Sequence, residues 1–182
     1  MSECDHEEAD TRVCVHLKDA LEKGSQKVVI RTVDTDIIVI LVGLLGQLTK
    51  DYPDTGIWVA FGMGKNFQEI CINTISQKIG KSISLALPAF HAFTGCDTTS
   101  QFRGKGKKSA WAAWKSFPEV TNAFIAMAAE PHQLSQESKT FALLERYTCV
   151  LYDKTTNIEN VNDLRKDLFA KKSLSMENIP PT

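Results

Sequence analysis

No stretch of the chain is apolar for long enough to span a bilayer. The longest run, Ile37 to Leu45, contains Gly43 and falls well short of the roughly 20 residues a membrane helix needs. Lys and Arg are missing from Met1 to Asp10, the reverse of what a secretory leader requires. Net charge is also nearly missing: at −1 the chain has no global basic field to draw in nucleic acid, which leaves that task to a local patch. Cysteine is sparse and irregularly spaced. Five of them, an odd number, point to reduced thiols in an intracellular protein rather than a disulfide framework. Internal repeats and low-complexity tracts are absent. What is present is ordinary globular material: 182 residues, 43% hydrophobic and 24% charged, enough for one α/β domain with a small helical extension.

Periodicity orders the chain. Glu8 to Lys23 reads as a helix, with Ala9, Val13, Leu17, Ala20 and Leu21 on one stripe and Gly24 where a C-terminal cap belongs. Lys27 to Arg31 reads as a buried strand, Val33 to Asp36 closes it, and an apolar helix follows from Ile37 to Leu48. Strand, acidic turn, helix is the grammar of a parallel α/β sheet, whose chemistry gathers at the carboxyl ends of its strands. Ile57 to Phe61 and Phe67 to Cys71 read as strands joined by the hairpin-like loop Gly62 to Asn66, before a short helix Asn73 to Ile79. After Gly80 the strand signals give way to helices: Ile83 to Thr94, with its start limited by Pro88, then 107–115, 118–129, 139–152 and 161–171. The expected division is therefore an α/β part, 1–82, and an all-helical part, 83–182.

Asp34 and Asp36 stand two apart at the end of a strand. In extended chain such residues point the same way, and a divalent cation is the usual remedy for two adjacent carboxylates; oxygen donors suit Mg²⁺. The same pair is also an ordinary turn or helix cap. Glu8 and Asp10 fall in the first turn of the preceding helix, where acids complement the helix dipole. Glu3, Asp5 and Glu7 read as a solvated run, and Asp97 lies in the later loop Thr94 to Thr99.

From Gln101 to Lys115 there are five bases, Arg103, Lys105, Lys107, Lys108 and Lys115, and no acid. Gly104 and Gly106 flank Lys105 and allow close backbone approach, and the helix that follows directs its N-terminus at whatever the loop holds. A phosphate fits that arrangement; a solvated helix start is the plainer alternative. Trp111 and Trp114 on the same helix read as core contacts.

Other patterns fail on spacing. Gly62-Met63-Gly64-Lys65 lacks the earlier glycine and the following Ser or Thr of a Walker loop; Val59 and Asn66 stand there. Cys4, His6, Cys14 and His16 miss structural zinc spacing. Ile38 departs from the dehalogenase-type phosphatase pattern, and His91 and His132 are lone histidines.

Taken in order, Glu8-Ala9-Asp10, Thr32-Val33-Asp34-Thr35-Asp36, the hairpin, Leu87 to Ser100, and Phe102 to Ala110 resemble the flap-endonuclease and XPG-like 5′ nuclease family of the PIN-like superfamily, in its divergent animal members. The resemblance has good motif support from Glu8 to Lys115. It implies part of an α/β/α sandwich with a mostly parallel sheet, followed by a helical region carrying a helix–two-turn–helix motif. It implies Glu8, Asp10, Asp34, Asp36 and Asp97 as ligands of a two-metal Mg²⁺ or Mn²⁺ site, with Asp34 and Asp36 catalytic. It implies Gly104, Gly106 and Lys107 as the loop that grips the DNA backbone, which with the basic run makes Arg103, Gly104, Lys105, Gly106, Lys107 and Lys108 the expected contact with DNA at single-strand/double-strand junctions; the expected setting is intracellular, with the nucleus one option. Asp10 is shorter than the Glu the family has there. The family's first strand, with its own catalytic Asp, and its arch belong upstream of Glu8, where seven residues stand. The expectation is thus a fragment of a metal-dependent, structure-specific DNA nuclease with weak or no turnover alone. The alternative is a noncatalytic DNA-binding or scaffold domain derived from one.

Overall fold

The structure is a computed structural model and describes residues 9–130, 134–172 and 178–181. The chain separates into two compact units, Met1–Pro88 and Ala89–Thr182. The dividing line falls within a helix, six residues beyond the end of the α/β part expected from the sequence.

In the first unit the order is α1 (Ala9–Glu22), β1 (Lys27–Thr32), α2 (Thr35–Asp51), β2 (Gly56–Phe61), a single 3-10 turn (Gly64–Asn66), β3 (Gln68–Cys71) and α3 (Ile72–Ile79). The strands form one sheet in the order β1-β2-β3. β1 runs parallel to β2, with Val28 beside Ile57 and Ile30 beside Val59. β2 runs antiparallel to β3, with Val59 beside Ile70. The sheet is therefore mixed, where the resemblance implied a mostly parallel one. The reason is local: the link from Phe61 to Gln68 is a tight turn, and a parallel return needs a crossover of about a dozen residues.

Period-two alternation sorts the strand residues. Val28, Ile30, Ile57, Val59 and Ile70 pack against Leu17 and Leu21 of α1, Leu41, Val42 and Leu45 of α2, and Ile72 of α3 in one core. The opposite face carries Lys27, Val29, Arg31, Trp58, Ala60 and Glu69, and Val29 there is 57% exposed. Among the described residues β1 is an outer strand. Gly56 and Gly62 donate to Gln26 O and Thr32 O at 2.8 and 3.1 Å, so even-numbered residues of β1 face β2. Lys27, Val29 and Arg31 accordingly turn both their N–H and C=O groups to the open edge.

Helix α4 (Lys81–Phe93) contains Pro88 in its interior, so the proline does not limit where it begins. The proline costs the helix one backbone hydrogen bond, and its ring fills a notch in α2: a Cβ on Gly43 would lie 2.4 Å from Pro88 Cγ.

The second unit holds the end of α4 together with α5 (Lys107–Ser116), α6 (Val120–Ala129), α7 (Lys139–Tyr152) and α8 (Val161–Lys172). Its centre is aromatic. Phe124 has ring neighbours Phe90, Phe93, Trp114 and Tyr147 at 5.7, 5.8, 5.3 and 5.4 Å, edge-on geometries that add to the stabilisation from burial. Tyr147 is fully buried, and its hydroxyl donates to Ala110 O at 3.0 Å. Trp111 and Trp114 belong to this cluster, and the Trp114 indole donates to Thr121 Oγ1 at 2.8 Å. Cys149, Leu164, Leu168 and Ile179 form a smaller core beside α7 and α8. No helix among the described residues is long and apolar enough to cross a membrane.

Candidate functional site

The two acids after β1 are held by the start of α2. Asp34 is its N-cap, with extended backbone (φ −96°, ψ 127°), and its carboxylate accepts from the Asp36 backbone N–H at 2.9 Å. The Asp34 N–H in turn donates to Thr32 Oγ1 at 3.0 Å. Asp36 lies inside the first helical turn, so the pair is not the extended, same-facing arrangement expected from the sequence. The chain turns helical at Thr35, one residue too early for strand alternation to govern Asp36. Two carboxylates coexist here because a helix N-terminus offers unsatisfied N–H groups and the positive end of the dipole. One oxygen of Asp34 is engaged in the cap, and both carboxylates carry the hard oxygen atoms that a divalent cation takes.

The remaining expected ligands lie elsewhere in the chain. Asp10 is half-buried in the first turn of α1. Glu8 lies outside the described residues. Asp97 is in the second unit, exposed at the tip of a turn in which Thr99 N–H donates to Cys96 O at 3.2 Å. Among the described residues, no group of three or more His, Cys, Asp or Glu side chains is close enough to hold a metal ion. A cavity of about 520 Å³ in the first unit, among Thr49, Lys50, Ser76 and Lys81, shares no residue with the Asp34–Asp36 turn.

The run Phe93 to Ser100 closes the end of α4. Thr94, buried, donates from its N–H and its hydroxyl to Phe90 O at 3.0 and 2.7 Å. Gly95 takes φ +98° and donates to Ala92 O at 3.2 Å. Only glycine fits there, because a Cβ would lie 2.4 Å from Gln101 Cβ and 2.6 Å from Gln101 Cα. Thr99 Oγ1 donates to Ala92 O at 2.7 Å. Cys96 stands 3.4 and 3.3 Å from the hydroxyls of Thr98 and Thr99, which hold its thiol below the ordinary value.

A second turn follows at once, with Lys105 N–H donating to Phe102 O at 3.0 Å and Gly104 at φ +70°. Phe102 anchors it against Phe93 and Tyr152, ring centroids 5.5 and 6.3 Å away. α4 and α5 are thus joined through two hydrogen-bonded turns. Gly106 is the N-cap of α5 and supplies no side chain to cap the first-turn N–H groups, and Arg103 and Lys108 on either side of it in sequence are exposed. The other two lysines are turned inward. Lys105 Nζ stands 4.9 Å from the centre of the Tyr152 ring and 3.4 Å from Tyr152 O. Lys107 Nζ donates to His91 O at 2.5 Å and Thr94 Oγ1 at 2.8 Å. Sequence reasoning missed the capping roles of Thr94, Thr99 and Lys107; a Thr-Gly pair ending an apolar helical run was the available signal. Comparison of the chain with known protein families, with curated proteins and with solved structures finds no match.

Proposed function

We propose that this chain is a portion of a metal-dependent, structure-specific DNA nuclease, and that by itself it holds DNA rather than cleaving it. The observation that carries the reading is the start of α5: glycines at 104 and 106, a helix N-terminus without a side-chain cap, exposed Arg103 and Lys108, and no acid from Gln101 to Lys115. Backbone N–H groups and two exposed cations suit a phosphate, and contacts of this kind position a duplex without reading its bases. The ordered resemblance to the flap-endonuclease family supports the wider assignment. The two turns between α4 and α5 support the motif the resemblance implies.

Asp34 and Asp36 would hold Mg²⁺ or Mn²⁺. Their oxygen donors fit such an ion, which commonly binds through one or two carboxylates and keeps several waters. When bound, the metal would supply an activated water and stabilise the leaving oxygen of a phosphodiester. The cap geometry of Asp34 favours a second reading, a noncatalytic DNA-binding module, because the carboxylate already has a structural task.

The test is fluorescence anisotropy with a flapped duplex at low salt, together with Mn²⁺ calorimetry. The reading expects salt-sensitive binding that Arg103→Glu/Lys108→Glu weakens by at least tenfold. It also expects Mn²⁺ binding lost in Asp34→Asn/Asp36→Asn, where Asn at position 34 retains a capping side chain. DNA binding without Mn²⁺ binding selects the noncatalytic module. Absence of DNA binding refutes both.

A further inference from the structure

Resting on the reading of the loop as a phosphate grip, we infer that Lys107 is a positioning residue, and that Arg103 and Lys108 are the side chains that meet DNA phosphates. Four cations between positions 103 and 108 look interchangeable in sequence, and burial separates them: Arg103 and Lys108 are exposed, Lys105 and Lys107 half-buried.

Lys107 performs two tasks at once. Its backbone opens α5, and its ammonium closes α4 by donating to His91 O and Thr94 Oγ1 at 2.5 and 2.8 Å. The neighbouring carbonyls of that last turn already receive shorter-range donors: Phe90 O from Thr94, and Ala92 O from Gly95 and Thr99. His91 O receives a second donor, Thr94 Oγ1, only at 3.4 Å, so Lys107 is the strong donor to it. A cation at a helix C-terminus is favourable, and an ammonium has three protons, two of which are directed here. The Nζ also lies 5.8 Å from the centre of the Phe90 ring. The side chain therefore ties the first turn of α5 to the last turn of α4, across the two-turn loop. This fixes the direction in which the first N–H groups of α5 point. Lys105 is held in the same manner at the far end of α7, over the Tyr152 ring and near Tyr152 O.

Two experiments on the full chain test this. The first needs no DNA: acetic anhydride labelling read by mass spectrometry. Lys107 is expected to acylate at least fivefold more slowly than exposed Lys108 and Lys115. Equal rates would overturn the inference whatever the chain binds. The second is the salt dependence of flapped-duplex binding, measured well below each variant's melting temperature. Each phosphate-contacting cation contributes about 0.9 to the slope of log K against log salt. Lys108→Gln and Arg103→Gln should each lower the slope by about that amount. Lys107→Met should weaken binding severalfold with the slope unchanged, and Lys107→Arg, which can donate to the same two oxygens, should restore affinity. A Lys107→Met slope that falls like that of Lys108→Gln would show a phosphate contact and overturn the inference. A wild-type chain that labels as expected and binds no DNA would refute the phosphate reading alone.

Discussion

Gly43 and Gly46 lie three residues apart on α2, and replacing each with Ala should affect stability unequally. A Cβ at position 43 would lie 2.4 Å from Pro88 Cγ and 3.0 Å from Pro88 Cδ, whereas one at position 46 meets nothing within 4 Å. Comfortable carbon contacts begin at about 3.5 Å, so about 1 Å of separation has to be found between α2 and the proline. Neither side yields easily: one is a helix backbone and the other a closed ring. Overpacking of this size costs about 1–3 kcal/mol. Both substitutions gain the same helix propensity, about 1 kcal/mol. Gly46→Ala should therefore stabilise by about 1 kcal/mol, and Gly43→Ala should fall below it by about 1–3 kcal/mol. Urea unfolding of the full chain followed by circular dichroism reads the difference, and the shared propensity term cancels in it. Gly43→Ala/Pro88→Ala should recover most of the steric loss, as expected for residues in direct contact. A Gly43→Ala chain as stable as Gly46→Ala would refute the argument that α2 and α4 are packed through this notch.

Two further predictions concern stability. Asp34→Ala should cost about 1 kcal/mol in urea unfolding without any metal present, while Asp34→Asn stays within a few tenths, because the cap needs an acceptor and not a charge; equal losses would show that the charge matters. Burial lifts the Cys149 thiol to about 11, while the unfolded chain releases that proton at the ordinary value near 9. Above that value the unfolded state holds fewer protons than the folded state, so the contribution is intact below pH 9, falls as pH rises towards 11, and amounts to about 3 kcal/mol at most. Cys149→Val should flatten the decline between pH 9 and 10.5 in urea melts; an unchanged decline would place its origin elsewhere.

Much of the fold was readable because strong periodicity fixes elements. The stripe Val13, Leu17, Leu21 and the alternation through Val28 and Ile30 locate α1 and β1 almost to the residue. Pro88 was misread because local pattern counts only the hydrogen bond and the crowding that a proline costs its own helix, and not the packing its ring gains over Gly43, 45 residues earlier. The Asp34–Asp36 geometry depended on whether the chain leaves the strand at Val33 or at Asp36. Apolar pattern is silent on that single step, although Asp followed by an acid in the first turn was a legible cap. The loop's basic character was plain, but the division of its cations was not. It depends on carbonyls at His91 and Tyr152 that no local window contains.

The outer strand β1 turns the hydrogen-bonding groups of Lys27, Val29 and Arg31 away from the sheet, with Val29 and Val33 57% and 63% exposed. Such an edge invites self-templating, and its two bases act as sentries. In an antiparallel pairing of two copies centred on Val29, Lys27 of each would stand opposite Arg31 of the other; centred on Arg31, two guanidinium groups would meet. The repulsion reaches only about a Debye length, roughly 10 Å at 0.1 M salt and 3 Å at 1 M. In such pairings the barrier to self-association would be ionic and held by two side chains, and concentrated salt would lower it without disturbing a single packed residue.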